Sequence, residues 1–192
     1  SGSFEDIDVP PTLISFVASA TKADNVISPE FKRNDTNLYL IQPEKDENGL
    51  FNKDSLVKTF KNVQKAIEDK RIISAYAVGV GGIAEAVTKM AFGNKIGAKI
   101  LNTVSQEELF EKKYGAFVVE TEGVLRFGKK IGVTTKDYKI YAQGKILSIE
   151  KLEKLWAETL EPVYPTTGGE ETNSEKIMQA NTITAPSKQT AQ

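Results

Sequence analysis

The chain has 192 residues, 40% of them hydrophobic, with 25 Lys+Arg against 26 Asp+Glu and a formal net charge of -1. It can bury one sizeable core but lacks the basic excess that binding to a phosphate backbone calls for. Zero Cys excludes disulfides and thiolate chemistry, and zero His removes Ser-His-Asp and Cys-His nucleophilic schemes and the common zinc sets. No apolar run approaches the ~20 residues of a membrane span, so a soluble, cytoplasmic protein is expected, with neither nucleic acid nor membrane as partner.

In chain order, Leu13-Ile14-Ser15-Phe16-Val17 and Leu38-Tyr39-Leu40-Ile41 are short apolar runs bounded by Pro, Asn and Asp, and predict strands. Leu56, Phe60, Val63 and Ile67 then fall on one face of a helix with Asp54 as its expected N-cap. The stretch Ile72 to Val78 predicts a strand, Gly79-Val80-Gly81-Gly82 a glycine turn, and Ile83, Ala86, Val87, Met90 and Ala91 the apolar stripe of a following helix. A strand is expected at Ile96 to Leu101. Ser105-Gln106-Glu107-Glu108 is a capping box opening a short helix. Further strands are expected at Ala116 to Glu120, Phe127 to Val133, Lys139 to Ala142 and Lys145 to Ser148, the last two turning at Gln143-Gly144. Leu152, Leu155, Trp156 and Leu160 line a final helix, with Trp156 expected in the core. Short strands beside crossover-length helices predict an α/β (α+β) fold, a mixed sheet with packed helices, over residues 1–161. Residues 162–192, poor in apolar residues and rich in Thr, Gly and Glu, predict a linker. A first residue Ser1 and a linker-like end suggest a piece cut from a longer protein.

Chemistry concentrates at the glycine turn. Gly79, Gly81 and Gly82 sit where a strand becomes a helix, so backbone N–H groups at the helix start could face a phosphate, and these three are the candidate cofactor-binding residues. Gly79-Val80-Gly81-Gly82-Ile83-Ala84 formally satisfies a dinucleotide fingerprint, but the acid expected at the end of the next strand is replaced by Leu101-Asn102, and no Gly-Lys-Ser/Thr follows. The competing reading is that the glycines only allow tight packing of strand on helix. Glu85 and Lys89 read as an exposed i,i+4 pair, and Lys112-Lys113 and Lys129-Lys130 as solvated charge runs. Glu120 and Glu122 near a strand end have no second carboxylate group placed opposite them. No set of residues assembles a complete catalytic site, so neither catalytic nor metal-ligating residues are assigned.

The loop and helix Ala75-Tyr76-Ala77-Val78-Gly79-Val80-Gly81-Gly82-Ile83-Ala84-Glu85-Ala86, running on to Met90-Ala91-Phe92-Gly93-Asn94-Lys95-Ile96-Gly97, resemble the phosphoribosylformylglycinamidine synthase family of purine-biosynthesis ligases. Asp8-Val9-Pro10-Pro11-Thr12-Leu13, Lys113-Tyr114-Gly115-Ala116-Phe117-Val118-Val119-Glu120 and Leu152 to Pro162 carry the same likeness, which covers roughly residues 1–164. The resemblance implies the second C-terminal-type subdomain of a core built like aminoimidazole ribonucleotide synthetase. Its parent would use ATP and Mg²⁺ to convert formylglycinamide ribonucleotide and glutamine to formylglycinamidine ribonucleotide. The remaining synthetase domains and a glutaminase domain would be the partners, and the fragment alone would be inactive. Many family members carry Asp-x-Ser-Asp-Gly-Gly where this chain has Ala77-Val78-Gly79-Val80-Gly81-Gly82. Ala77 and Gly79 cannot replace the magnesium-binding Asp or the nucleotide-contacting Ser that the resemblance implies, so only a backbone role carries over. A free-standing nucleotide-binding module and a ligand-free structural buttress are the alternatives.

Overall fold

The computed structural model describes residues 2–4, 7–163 and 165. Its contacts divide the chain into two units, Ser1–Ile149 and Glu150–Gln192.

In the first unit, β1 (Gly2–Phe4) and β2 (Ile7–Val9) form an antiparallel pair. The main sheet comprises β3 (Asn37–Ile41), β4 (Ile72–Ala77), β5 (Gly97–Ile100), β6 (Phe117–Thr121), β7 (Lys129–Thr135), β8 (Lys139–Ala142) and β9 (Lys145–Ser148). Its strand order is β4-β6-β3-β7-β5-β8-β9, and every pairing is antiparallel except β5 with β8, so the sheet is mixed, as the alternation of hairpin and crossover signals predicts. β3 lies between β6 and β7 and is buried at Leu38, Tyr39, Leu40 and Ile41, which explains its unbroken apolar run: both faces are covered.

Helix α1 (Lys53–Glu68) lays Val63 and Ala66 against Tyr39, Ile41, Ile72, Val119 and Leu125. Strand alternation turns Leu38, Leu40, Val118 and Glu120 to the opposite face. There the segment at Phe31 joins the end of α2 (Gly82–Phe92), with the Phe31 N–H donating to the Met90 carbonyl at 2.8 Å. Ile83 and Met90 of α2 are fully buried, each contributing roughly 1.5–3 kcal/mol of transfer free energy. Helix α3 (Gln106–Phe110) starts as its capping box predicts, the Ser105 side chain accepting from the Glu108 N–H at 3.2 Å. The Gln143-Gly144 turn takes positive φ at both residues, the geometry of a tight hairpin.

Three expectations are corrected. The cap of α1 is Asn52, whose side chain accepts from the Ser55 N–H at 2.9 Å; Asp54 lies inside the first turn, where its charge favours the helix dipole. Leu13–Val17 forms no strand, because a strand needs a partner for its N–H and C=O groups and this run pairs with none of the described strands. Helix α4 (Ile149–Glu158), all but its first residue in the second unit, forms, but Trp156 is 59% exposed, with Leu155 and Leu160 also in the open. Helical spacing shows that a stripe is apolar; how far it is buried is set by packing that the spacing does not encode. Most of the expected linker, residues 164 and 166–192, lies outside the described residues.

Candidate functional site

The glycine turn lies between β4 and α2, and the structure accounts for each glycine differently. Gly82, the first residue of α2, has φ +67°, and a Cβ there would lie 2.6 Å from the Leu109 carbonyl oxygen and 2.7 Å from that of Glu111. Only glycine satisfies both the left-handed backbone and the close approach of the α3 segment. At Gly81 a Cβ would lie 2.6 Å from the Cβ of Glu85 and 2.7 Å from its Oε2. Gly79 is the least constrained, with Glu85 Oε2 at 3.9 Å as the nearest contact.

Glu85 is therefore the side chain that faces the loop. The Gly81 N–H donates to its Oε2 at 2.9 Å, while Lys89 Nζ donates to its Oε1 at 2.6 Å. Both groups are part-buried, so the pair is less exposed than its i,i+4 spacing suggests. The Lys89 ammonium and then the Gly81 N–H hold the Glu85 carboxyl below its ordinary range; Glu85 in turn holds Lys89 above its own. A carboxylate at the first turn of a helix, bonded to the loop N–H, is favoured by the helix dipole and satisfies a donor at the helix start.

A cavity of about 310 Å³ lies at the same end of the sheet, lined by Gln42, Lys45, Glu111, Lys113 and Tyr114 among others. Lys113 is only 8% exposed, correcting its reading as solvated surface; its backbone N–H reaches the Gly79 carbonyl at 3.4 Å, and its Nζ donates to Glu111 Oε2 at 2.6 Å. The Lys113 ammonium lowers the Glu111 carboxyl. Lys113 thus stands beside a glutamate while Lys45 lies over the Phe51 ring, and with Glu44 and Glu111 also in the lining the pocket carries no net excess of positive charge.

Glu120 is fully buried and serves a different end. Its oxygens accept from the Lys32 N–H at 2.7 Å, the Arg33 N–H at 3.0 Å, Thr36 Oγ1 at 2.8 Å and Ser74 Oγ at 3.0 Å. Four donors satisfy the charge and tie the segment before β3 to β6 and β4. Glu122 points instead to an exposed ion pair with Arg33 at 2.6 Å. The two glutamates do not converge, and Glu120 is sealed from any substrate.

The donor set at the turn does not fit a magnesium–nucleotide complex of its own. Ala77 and Gly79 offer no side-chain oxygen, the Gly81 N–H is engaged by Glu85, and among the described residues no group of three or more His, Cys, Asp or Glu could hold a metal. What the arrangement can offer is backbone shape beside a pocket whose lining charges balance. Glu85 and Lys113 are the residues sequence reasoning undervalued. The signal for Glu85 was an acid one helical turn after Gly81; the burial of Lys113 depends on tertiary packing that has no local signal.

No protein-family model matches the chain. It is 25% identical over 180 residues to the phosphoribosylformylglycinamidine synthase subunit PurL of Lactobacillus delbrueckii subsp. bulgaricus, an alignment covering 79% of this chain and 24% of that protein. The solved structure of Thermotoga maritima PurL complexed with AMPPCP matches with a TM-score of 0.57 at 13% identity, over 69% of this chain and 28% of that one. The same protein complexed with FGAR matches with a TM-score of 0.53 at 10% identity, over 68% and 30%. The chain spans about a quarter of the length of its curated relatives. In sequence and in fold it is thus similar to one segment of phosphoribosylformylglycinamidine synthase.

Proposed function

We propose that the chain is the second C-terminal-type segment of an ATP-dependent ligase that converts formylglycinamide ribonucleotide and glutamine to formylglycinamidine ribonucleotide, and that it has no turnover alone. The observation that carries this reading is the alignment with the synthase subunit over 79% of the chain, to which the shared fold adds support. In this reading ATP and Mg²⁺ are handled by the remaining synthetase domains, ammonia comes from a glutaminase, and the assembled enzyme works in the cytoplasm. Gly79, Gly81 and Gly82 are the chain's contribution to the ligand-facing surface, through backbone only, while Glu85 fills the anion position itself. The segment keeps the shape of a nucleotide site without its charge pattern.

Amidine formation from ATP, formylglycinamide ribonucleotide and ammonia tests the reading. No turnover is expected from the chain alone, and turnover is expected once the rest of the synthase is supplied. Failure of the chain to complete a synthase lacking the matching segment would defeat the proposal. Tight nucleotide binding by the chain alone would favour a free-standing binding module instead.

A further inference from the structure

Leu13, Ile14, Phe16 and Val17 are 93%, 83%, 88% and 88% exposed, the most open apolar run among the described residues. In an extended backbone Leu13, Ser15 and Val17 fall on one side and Ile14, Phe16 and Ala18 on the other. Both sides are apolar, which is the pattern of a strand covered on both faces, whereas a strand docked on a surface is apolar on one. Such a run left in water is an aggregation hazard unless a sheet takes it in.

The chain's own sheet does not take it. Lys70 Nζ donates to the Asp24 carbonyl two residues before β4 begins, and Thr21 and Asn25 line a cavity against Phe60 and Ile67 of α1. The segment is therefore anchored beside α1 and the turn that follows it, while β4, the outer strand of the sheet, pairs with β6 alone. A second copy of the run would give a two-stranded ribbon with both faces still wet, a marginal arrangement. The curated relatives, of which this chain covers 24%, supply the remaining length in which a covered sheet could lie.

We propose that Leu13–Val17 is an insertion strand that completes an open sheet edge, covered on both faces, in the nucleotide-handling remainder of the ligase; this rests on the function proposed above. The polar stretch Ser19 to Asn25 then acts as the tether between the two bodies, and Lys70 fixes where the strand leaves this one.

Amide hydrogen exchange on the chain, alone and mixed with the rest of the synthase from the same organism lacking this segment, tests the proposal. On mixing, residues 13–17 are expected to exchange at least tenfold more slowly. Ser15→Pro, which removes a strand N–H, is expected to abolish that protection without changing the Tm of the chain alone, and Phe16→Asp provides a second variant at an exposed position. Association that leaves exchange at 13–17 unchanged overturns the insertion strand while the proposed function stands. Protection in the dilute chain alone would assign the run to its own sheet, and protection growing with chain concentration would assign it to a second copy; either overturns the proposal. No association at all defeats the functional reading and the insertion strand with it.

Discussion

Glu120 and Glu85 are two carboxylates held by backbone N–H groups, and they serve opposite ends of the same scaffold. Glu120 is shut away from water with four donors, none of them a cation, and ties three separate stretches of chain together. Glu85 stands part-exposed over a glycine turn, balanced by Lys89. The contrast teaches that bonded oxygens do not by themselves make a site: burial decides whether a carboxylate is a fastener sealed in the core or a group that stays within reach of water.

The sharpest way to break this comparison is to remove Glu120. Glu120→Ala leaves four donors without their acceptor, and chemical denaturation is expected to show a loss of about 3–5 kcal/mol. The equivalent truncation, Glu85→Ala, is expected to cost no more than about 1 kcal/mol, since water reaches the freed groups. Equal losses at the two positions would remove the distinction.

Gly82→Ala follows in size. It forces a left-handed backbone on an L side chain and drives a Cβ to 2.6 Å from a carbonyl oxygen, so about 2–3 kcal/mol should be lost in thermal or denaturant unfolding.

Acid titration comes next. Lys32 and Ser28 lower the Glu30 carboxyl from 4.5 to about 2, and Glu85 is lowered as well. A depressed carboxyl contributes stability that is complete above its unfolded value and is lost as pH falls through its folded one, here between about 4.5 and 2 for Glu30. Glu30→Gln should flatten that acid limb by about 1 kcal/mol, since solvent screening and the cost of ordering two side chains take most of the nominal shift at a side chain 31% exposed. An acid limb identical to that of the unaltered chain would contradict the assignment.

The smallest effects separate the remaining glycines. Gly81→Ala should cost about 1 kcal/mol by pushing Glu85 aside, whereas Gly79→Ala, with its nearest contact at 3.9 Å, should stay within about 0.5 kcal/mol. A Gly81→Ala, Glu85→Gly double variant, which removes the Glu85 Cβ together with its carboxylate, should recover part of the first loss beyond the sum of the single changes; additive losses would show that Glu85 is not what Gly81 accommodates.

These contrasts also mark where the sequence could be read and where it could not. Period and punctuation placed β4, the glycine turn and α2, because a strand, a turn and an amphipathic helix are written in neighbouring residues. The mixed sheet followed from hairpins standing beside crossovers. The fastening at Glu120 was invisible because its donors Lys32, Arg33 and Thr36 lie 84–88 residues away and Ser74 lies 46 away. Leu13–Val17 and Trp156 misled for a related reason: an apolar pattern states that burial is required and leaves the covering partner unnamed.

The central claim is that the glycine turn keeps a nucleotide site's shape while Glu85 holds its anion position. Isothermal titration of the chain with ATP, with and without Mg²⁺, tests it most directly. Backbone contacts alone, set against the cost of association, predict affinity no better than about millimolar and no dependence on magnesium. A magnesium-dependent, low-micromolar affinity would contradict the account.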